Sequence, residues 1–396
     1  MPPSPALGDR ALFPDLAPRF YLNHGGISPP SRPVLEAAQA VSDDFARHGA
    51  VAFMRCLTQA ERVRALAARL LQVPAEHVAL APNTTRSVSD IALCFRWNPG
   101  DRVLLFEGEF PSNVLPWLQA ARLHRIEPRF LSLAPFHRSH DEGLASLERE
   151  LKAGARLVAV SAVQFQTGLR MPLQAMAQLC HRHGARLFVD AVQAVGLLPL
   201  ALASWGVDYL AAGSHKWMMG LPGAGVVYAS PEAAADLDPW TAGWLSTSDA
   251  TRFLFEGEGH LRYDRPIVPG IRFLEGGNWS TSSVAALEVA LSLIDALTTD
   301  SIFTHVSAYL DLLEGGLGER GFRSERSREE EGRSGILSVR PPGGRSVAEW
   351  AAALGERGVA CATPDGRLRF TPHWPNALGE VPSVLDAVDE ARGLLA

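Results

Sequence analysis

Residues 186–196 read RLFVDAVQAVG and residues 209–220 read YLAAGSHKWMMG. In the first stretch a short, mostly apolar run ends on Asp190. In the second, an apolar run is followed by Lys216, set between His215 and Trp217. A carboxylate at the end of a buried run is half desolvated and needs a cationic partner. An ammonium group in front of Trp217, Met218 and Met219 is not freely solvated either. Each charge has an ordinary structural reading. Asp190 caps the next helix or pairs with an arginine; Lys216 snorkels from a turn, its stem on Trp217 and its head in water. The rest of the chain decides between these readings and a chemical one.

Outward from this pair, helical periodicity alternates with short apolar runs from about residue 60 to 230. VRALAARLLQV reads as a helix, RVLLF (102–106) and LVAVSAV (157–163) as strands, and LQAMAQLCHRHG as a helix ending at Gly184. RLFVD (186–190), YLAAG (209–213) and GVVYAS (225–230) follow as strands. Strands apolar on both faces, alternating with helices, predict an α/β fold whose mainly parallel sheet is covered on both sides. Residues 231–282 are irregular, and a segment of that length is commonly functional. The helix SVAALEVALSLIDAL, from Ser283, leads into a smaller C-terminal α+β domain. The expected division is an N-terminal segment, 1–25, packed on the small domain, a large domain, 26–282, and the small domain, 283–396. SERSREEEGRS (324–334) reads as a solvated loop.

The composition limits the function. The 396 residues are 47% hydrophobic and 20% charged, with a formal net charge of −6. That balance, with no lysine- or arginine-rich run, argues against nucleic acid as a partner. The opening MPPSPALGDRALFPDLAPRF has no basic region before an apolar stretch, so no signal peptide is expected. No run of about 18 apolar residues occurs, so no membrane span is expected. Cys56, Cys94, Cys180 and Cys361 are scattered without CxxC spacing, which fits reduced thiols in the cytoplasm rather than disulfides or a metal site. The HRH at 181–183 sits at a helix end, where cationic side chains suit the dipole.

In an open α/β sheet, ligands bind beyond the carboxyl ends of the strands. Asp190 and Lys216 lie at two such ends, one α/β step apart. An acid for a pyridinium nitrogen and a lysine for an aldehyde are what pyridoxal 5′-phosphate (PLP) requires. The cofactor's phosphate then needs an anion site. LAPNTTRSVSDIALCF (80–95) offers one, placing Asn83, Thr84 and Thr85 at a helix N-terminus, although plain N-capping explains NTT equally. The glycines of GLPGAGV follow the lysine and precede a strand, so they form no dinucleotide fingerprint.

FVDAVQAVG followed by DYLAAGSHKWMMGLPGAGVVYAS resembles the class V aminotransferases among the fold-type I PLP enzymes. That group includes cysteine desulfurases, selenocysteine lyases, kynureninases and isopenicillin N epimerase-like proteins. The resemblance extends from YLNHGGISPP (21–30) through NTT, GEFPSNVLPW (108–117) and SAVQFQTGLRMPL (161–173) to GRLRFTPHWPN (366–376). It implies that Lys216 forms the Schiff base, that Asp190 pairs with the pyridine nitrogen and that Gln193 approaches the ring's 3′ oxygen. Thr84 and Thr85 hold the phosphate, with Ser214 and His215 beside it. Phe110 stacks on the ring where desulfurases usually have histidine; it cannot shuttle a proton. Asn278 reaches the phosphate of the neighbouring subunit, which implies a homodimer. Arg369 takes the substrate α-carboxylate, and Asn23 and Trp244 are assigned to the substrate as well.

Three departures accompany the resemblance. GVACATPDGRLRF is too short for the mobile loop that carries a desulfurase's nucleophilic cysteine, and Cys361 falls on the strand. The usual asparagine near the ring oxygen is missing from SAVQFQTG, leaving Gln164 as its substitute. Ser214 stands two before the lysine rather than three. The resemblance implies an enzyme acting at the α-carbon of an amino acid, aminotransferase-like first. C–S or other β/γ-elimination and epimerisation stay open, persulfide-forming desulfuration stands behind them, and a non-catalytic PLP-binding module is the remaining alternative.

Overall fold

The computed structural model describes residues 4–395. Seven strands form the main sheet, in the spatial order Val78–Ala81, Gly225–Ala229, Tyr209–Gly213, Arg186–Asp190, Leu157–Ser161, Arg102–Phe106, Glu127–Leu131. Gly225–Ala229 runs antiparallel to both neighbours and every other pair is parallel. The runs apolar on both faces become central strands because alternate residues point to opposite faces. Leu187 and Val189 pack into one core cluster while Phe188 packs into the other. Val158 and Val160 likewise separate from Leu157 and Ala159. Helices seal both faces, and the parallel strands carry their C-terminal ends to one edge.

Strands Arg323–Ser324, Leu337–Arg340 and Leu368–Phe370 form a small antiparallel sheet. Near it, Phe20–Tyr21 pairs in parallel with Val359–Ala360, and Asn23 bridges to Thr371. The helix Thr281–Leu297 lies against helices Arg32–His48 and Ala50–Leu71, and the chain bends by 77° into Thr299–Glu319. Among the described residues no single helix is long and apolar enough to cross a membrane. Many apolar side chains of this bent pair, Leu287, Leu291, Leu310 and Leu313 among them, are buried in the core.

The segment 324–334 is more than a solvated loop. Arg326 is buried and paired with Asp311 and Glu314, and the buried Ser334 hydroxyl donates to the Gly168 carbonyl at 2.6 Å. The acids that partner Arg326 lie too far away in sequence for local pattern to reveal. Residues 231–282 are irregular, with only short helical turns, and leave Trp240 and Tyr263 73% and 93% exposed.

Candidate active site

The parallel register sets Ser161 beside Asp190, and Asp190 beside Ala211, at the C-terminal edge of the sheet. Lys216 follows three residues after the Tyr209–Gly213 strand. A cavity of about 550 Å³ opens there. Asp190, Gln193, His215 and Lys216 line its sheet side, Thr84 and Thr85 enter from the start of a helix and Phe110 from a loop, and Phe165 and Arg369 close it.

Asp190 is 3% exposed and is given one hydrogen bond, from the Val192 N–H at 3.0 Å. Among the described residues no arginine pairs with it. Burial raises its pKa to about 7, against a smaller opposing effect of that N–H. Lys216 has no ion pair among the described residues and turns to the cavity, its Nζ 5.5 Å from the centroid of the Phe110 ring. Burial lowers its pKa to about 8, with Asp190 pulling the other way. Opposite shifts on a buried acid and amine in one cleft mark a site built for proton chemistry.

Gln193 is held at both ends of its amide. Its Nε2 donates to the Gly25 carbonyl at 2.9 Å and its Oε1 accepts from Trp217 Nε1 at 2.7 Å. Behind Trp217, His373 Nδ1 accepts the Trp374 N–H at 2.7 Å, so its Nε2 must be the donor to the Trp217 carbonyl at 2.9 Å. This neutral, buried ring, its pKa lowered to about 4 by burial, clamps the segment that follows Lys216.

The helix Thr84–Cys94 starts at the cavity. Asn83 caps it, its side-chain oxygen accepting the Arg86 N–H at 2.8 Å. That leaves the first N–H groups of the helix free, and an uncompensated helix start attracts anions. Thr84 Oγ1 accepts the Gly213 N–H at 2.8 Å and keeps its own proton for a ligand, and Thr85 Oγ1 lies 2.8 Å from Ser112 Oγ. A Cβ on Gly213 would come within 3.2 Å of Thr84 Oγ1 and 3.1 Å of His215 Nδ1. Glycine is what lets strand and helix approach this closely.

Arg369 is 5% exposed. One of its terminal nitrogens donates to the Phe165 carbonyl at 2.7 Å, while Nε has no partner. Burial lowers its pKa to about 10, still fully charged at neutral pH. A buried guanidinium with donors to spare is built for a carboxylate.

Other expected residues stand back from the lining. The Ser214 hydroxyl donates to the Leu221 carbonyl, and Gln164 Nε2 donates to Glu109 at 3.0 Å. The buried side-chain oxygen of Asn23 has no partner, with Gly26 packed against it. Trp244 packs on Phe53, and Asn278 is exposed. Cys361 is half-buried one residue past Val359–Ala360. Ala362 and Pro364 line the cavity and Cys361 does not. Its apolar surroundings push the thiol up to about 12.

Sequence reasoning missed Glu109. This buried carboxylate accepts from the Ser161 N–H at 2.7 Å, from the Ser161 hydroxyl and from Gln164. It ties the loop bearing Phe110 to the strand beside Asp190. Burial raises its pKa. Its adjacency to Phe110 in GEFPSN is the one signal that pointed there.

Free helix N–H groups, a buried acid, an unpaired amine and an underused arginine around one cavity fit PLP. They define the class: a PLP enzyme of fold type I, an α/β chain with its site at the sheet's C-terminal edge.

The chain belongs to the aminotransferase class-V family, whose model matches residues 20–368. It is accordingly a PLP-dependent enzyme of the transferase or lyase type. It is 25% identical over 381 residues to the uncharacterized aminotransferase YcbU of Bacillus subtilis (strain 168), covering 96% of each chain. A probable cysteine desulfurase of Chlamydia muridarum (strain MoPn / Nigg) is 32% identical over 238 residues, 59% of this chain and 55% of that one. Among solved structures, a mutant of C-DES with glycine covalently linked to its PLP cofactor superposes with a TM-score of 0.86 at 22% identity, covering 96% and 98% of the two chains. The cysteine desulfurase CsdA of Escherichia coli gives 0.83 at 24% identity, with 98% of each chain covered. The two superpositions establish the fold.

Proposed function

We propose that this protein takes an α-amino acid into the cavity by its carboxylate and works at the α-carbon with Lys216 as base, in aminotransferase-type chemistry. The observation that carries this reading is the convergence of Lys216, Asp190, Arg369 and the start of helix Thr84–Cys94 on one cavity. PLP, when bound, supplies an aldehyde for the lysine and a ring that accepts electrons from a broken α-carbon bond. Asp190 holds a proton on the ring nitrogen. Thr84, Thr85 and the free N–H groups of the helix hold the phosphate, with His215 beside them. Gln193 keeps its second amide N–H for the ring's 3′ oxygen, and Phe110 covers the ring.

Arg369 binds the substrate carboxylate through the donors it does not spend on Phe165. Lys216, depressed to about 8, reaches its neutral form near physiological pH, and Nζ then takes the proton from the substrate α-carbon. Phe110 and Phe165 meet edge to face at 5.3 Å in the lining and exchange no protons. That favours one-base chemistry over epimerisation. The setting of Cys361 argues against a protein persulfide, because a nucleophilic thiolate needs exposure and a lowered pKa. A second reading, elimination of a sulfur leaving group without a protein persulfide, is supported by the desulfurases among the relatives.

We further propose a homodimer. Trp240, Phe253, Leu254, Phe255 and Tyr263 form an apolar exposed set in the segment 231–282, and Asn278 and Trp244, in the same segment, then serve the neighbouring subunit's cavity. Four free cysteines favour a reducing compartment. The test is product analysis on the purified holoenzyme with a panel of amino acids. A 2-oxo acid formed only with an amino acceptor supports transamination. Pyruvate and ammonia released without an acceptor, together with sulfide from cysteine or cysteine persulfide from cystine, replace it by elimination. Turnover by neither route overturns both.

A further inference from the structure

The turn that brings Phe165 into the cofactor cavity ends at Arg170, and Arg170 lines a second cavity of about 340 Å³. Met171, Leu173, Leu198 and Leu200 are buried in its wall and Trp205 is half-buried there. Its size falls at the small end of the range for ligand pockets, and a mostly apolar wall with a few polar groups is their usual make-up.

Arg170 is the cation of this lining, and it is unpaired. Among the described residues no carboxylate lies within 4 Å of its guanidinium, which packs 5.6 Å over the Phe303 ring. Burial lowers its pKa with no acid opposing. A half-buried guanidinium normally has a carboxylate or equivalent acceptor. The other charged residue of the lining is Glu331, exposed, as is Gln174. His140 also lines the cavity, with Nε2 on the Arg170 carbonyl at 3.0 Å.

The helix Leu173–Arg182 begins in the same cavity wall. Pro172 stands at its cap position without a side-chain hydrogen bond. Pro172 and Met171 carbonyls accept from Met176 and Leu173, which leaves the N–H groups of Gln174 and Ala175 without a protein acceptor. Arg170, Gln174 and Ala175 line the same open cavity, and an anion there satisfies both the guanidinium and these donors.

We propose that this cavity is a second ligand site, taking an apolar monocarboxylate of amino-acid size. Arg170 holds the carboxylate, the leucine and tryptophan walls take the hydrocarbon, and Glu331 disfavours a second negative charge.

Isothermal titration of the holoenzyme with isocaproate tests this, with isocaproamide and glutarate as controls. The expected result is saturable binding of isocaproate that survives Arg369→Ala, weakens about tenfold or more in Arg170→Gln, and disappears in Ala175→Trp, which fills the cavity from its half-exposed wall. The amide and the dicarboxylate bind more weakly than isocaproate. Thermal melts check that each variant is folded, and Ala175→Trp decides the matter if Arg170→Gln is not. Binding lost in Arg369→Ala but kept in Arg170→Gln or Ala175→Trp overturns the proposal. So does amide binding as tight as the acid, or no saturable binding of isocaproate.

Discussion

In the cofactor cavity, three polar side chains of the sheet wall and the helix start beside it are already tied to the protein. Gln193 is held at both ends of its amide, Thr84 by Gly213 and Thr85 by Ser112. On the side of the C-terminal turn, Arg369 spends one donor on Phe165 and leaves Nε unpartnered. Fixed side chains suit a group that stays, because their orientation need not be reorganised at each turnover. Spare hydrogen-bonding capacity suits a group that enters and leaves. That difference supports the proposed division, in which this wall serves the cofactor and the arginine the substrate.

Substitutions on the two walls should fail in different ways. Lys216→Ala should have the largest effect, lowering turnover by about 10³-fold or more through loss of the base, while the phosphate cup still retains cofactor. Single-turnover rates and cofactor content after dialysis check both parts. Asp190→Asn should lower kcat by about 10²-fold with little change in KM, because an amide cannot keep the ring nitrogen protonated.

The same residue gives the cofactor-free protein a pH signature. A carboxyl whose pKa rises from 3.8 to about 7 on folding holds its proton more tightly in the folded state. Its contribution is full below about pH 4 and is lost as pH rises through about 7, amounting to about 4 kcal/mol at most. Denaturation midpoints of the apoprotein across that window should fall with pH in the wild type and flatten in Asp190→Asn. A wild-type midpoint that rises instead would contradict the buried, protonated acid.

On the other wall, Arg369→Lys should raise KM by about tenfold with kcat changed much less, since a point charge replaces a fork of donors. An equal loss in both parameters would place Arg369 in the chemical step. Cys361→Ser should have the smallest effect, less than about twofold in kcat/KM. An alkylating probe that trapped a persulfide on Cys361, lost together with activity in the serine variant, would turn the assignment toward a desulfurase.

The legible parts of the molecule were those where a side chain contradicted its neighbours. Asp190 and Lys216 stood out as charges within apolar runs, and the strands stood out because both faces were apolar. Glu109 and His373 did not stand out. GEFPSN and TPHWPN look like polar loops, and only the packing of distant strands buries them. Gln164 and Ser214 were chosen by position, and both turn to other partners, because the direction of a side chain in a tight turn follows no periodicity. Arg326 lay in a charge run that reads as solvated, and the acids that bury it belong to the helix Thr299–Glu319.

The chain contains two lysines, Lys152 and Lys216. Lys152 is exposed on a helix, 3.6 Å from Glu148, and Lys216 lines the cavity. Borohydride reduction of the holoenzyme, followed by peptide mass spectrometry, therefore asks a two-way question. The account predicts the reduced cofactor on the peptide carrying Lys216 alone, with loss of the visible absorbance. Cofactor on Lys152, or on neither lysine in a protein that nevertheless binds PLP, would contradict it.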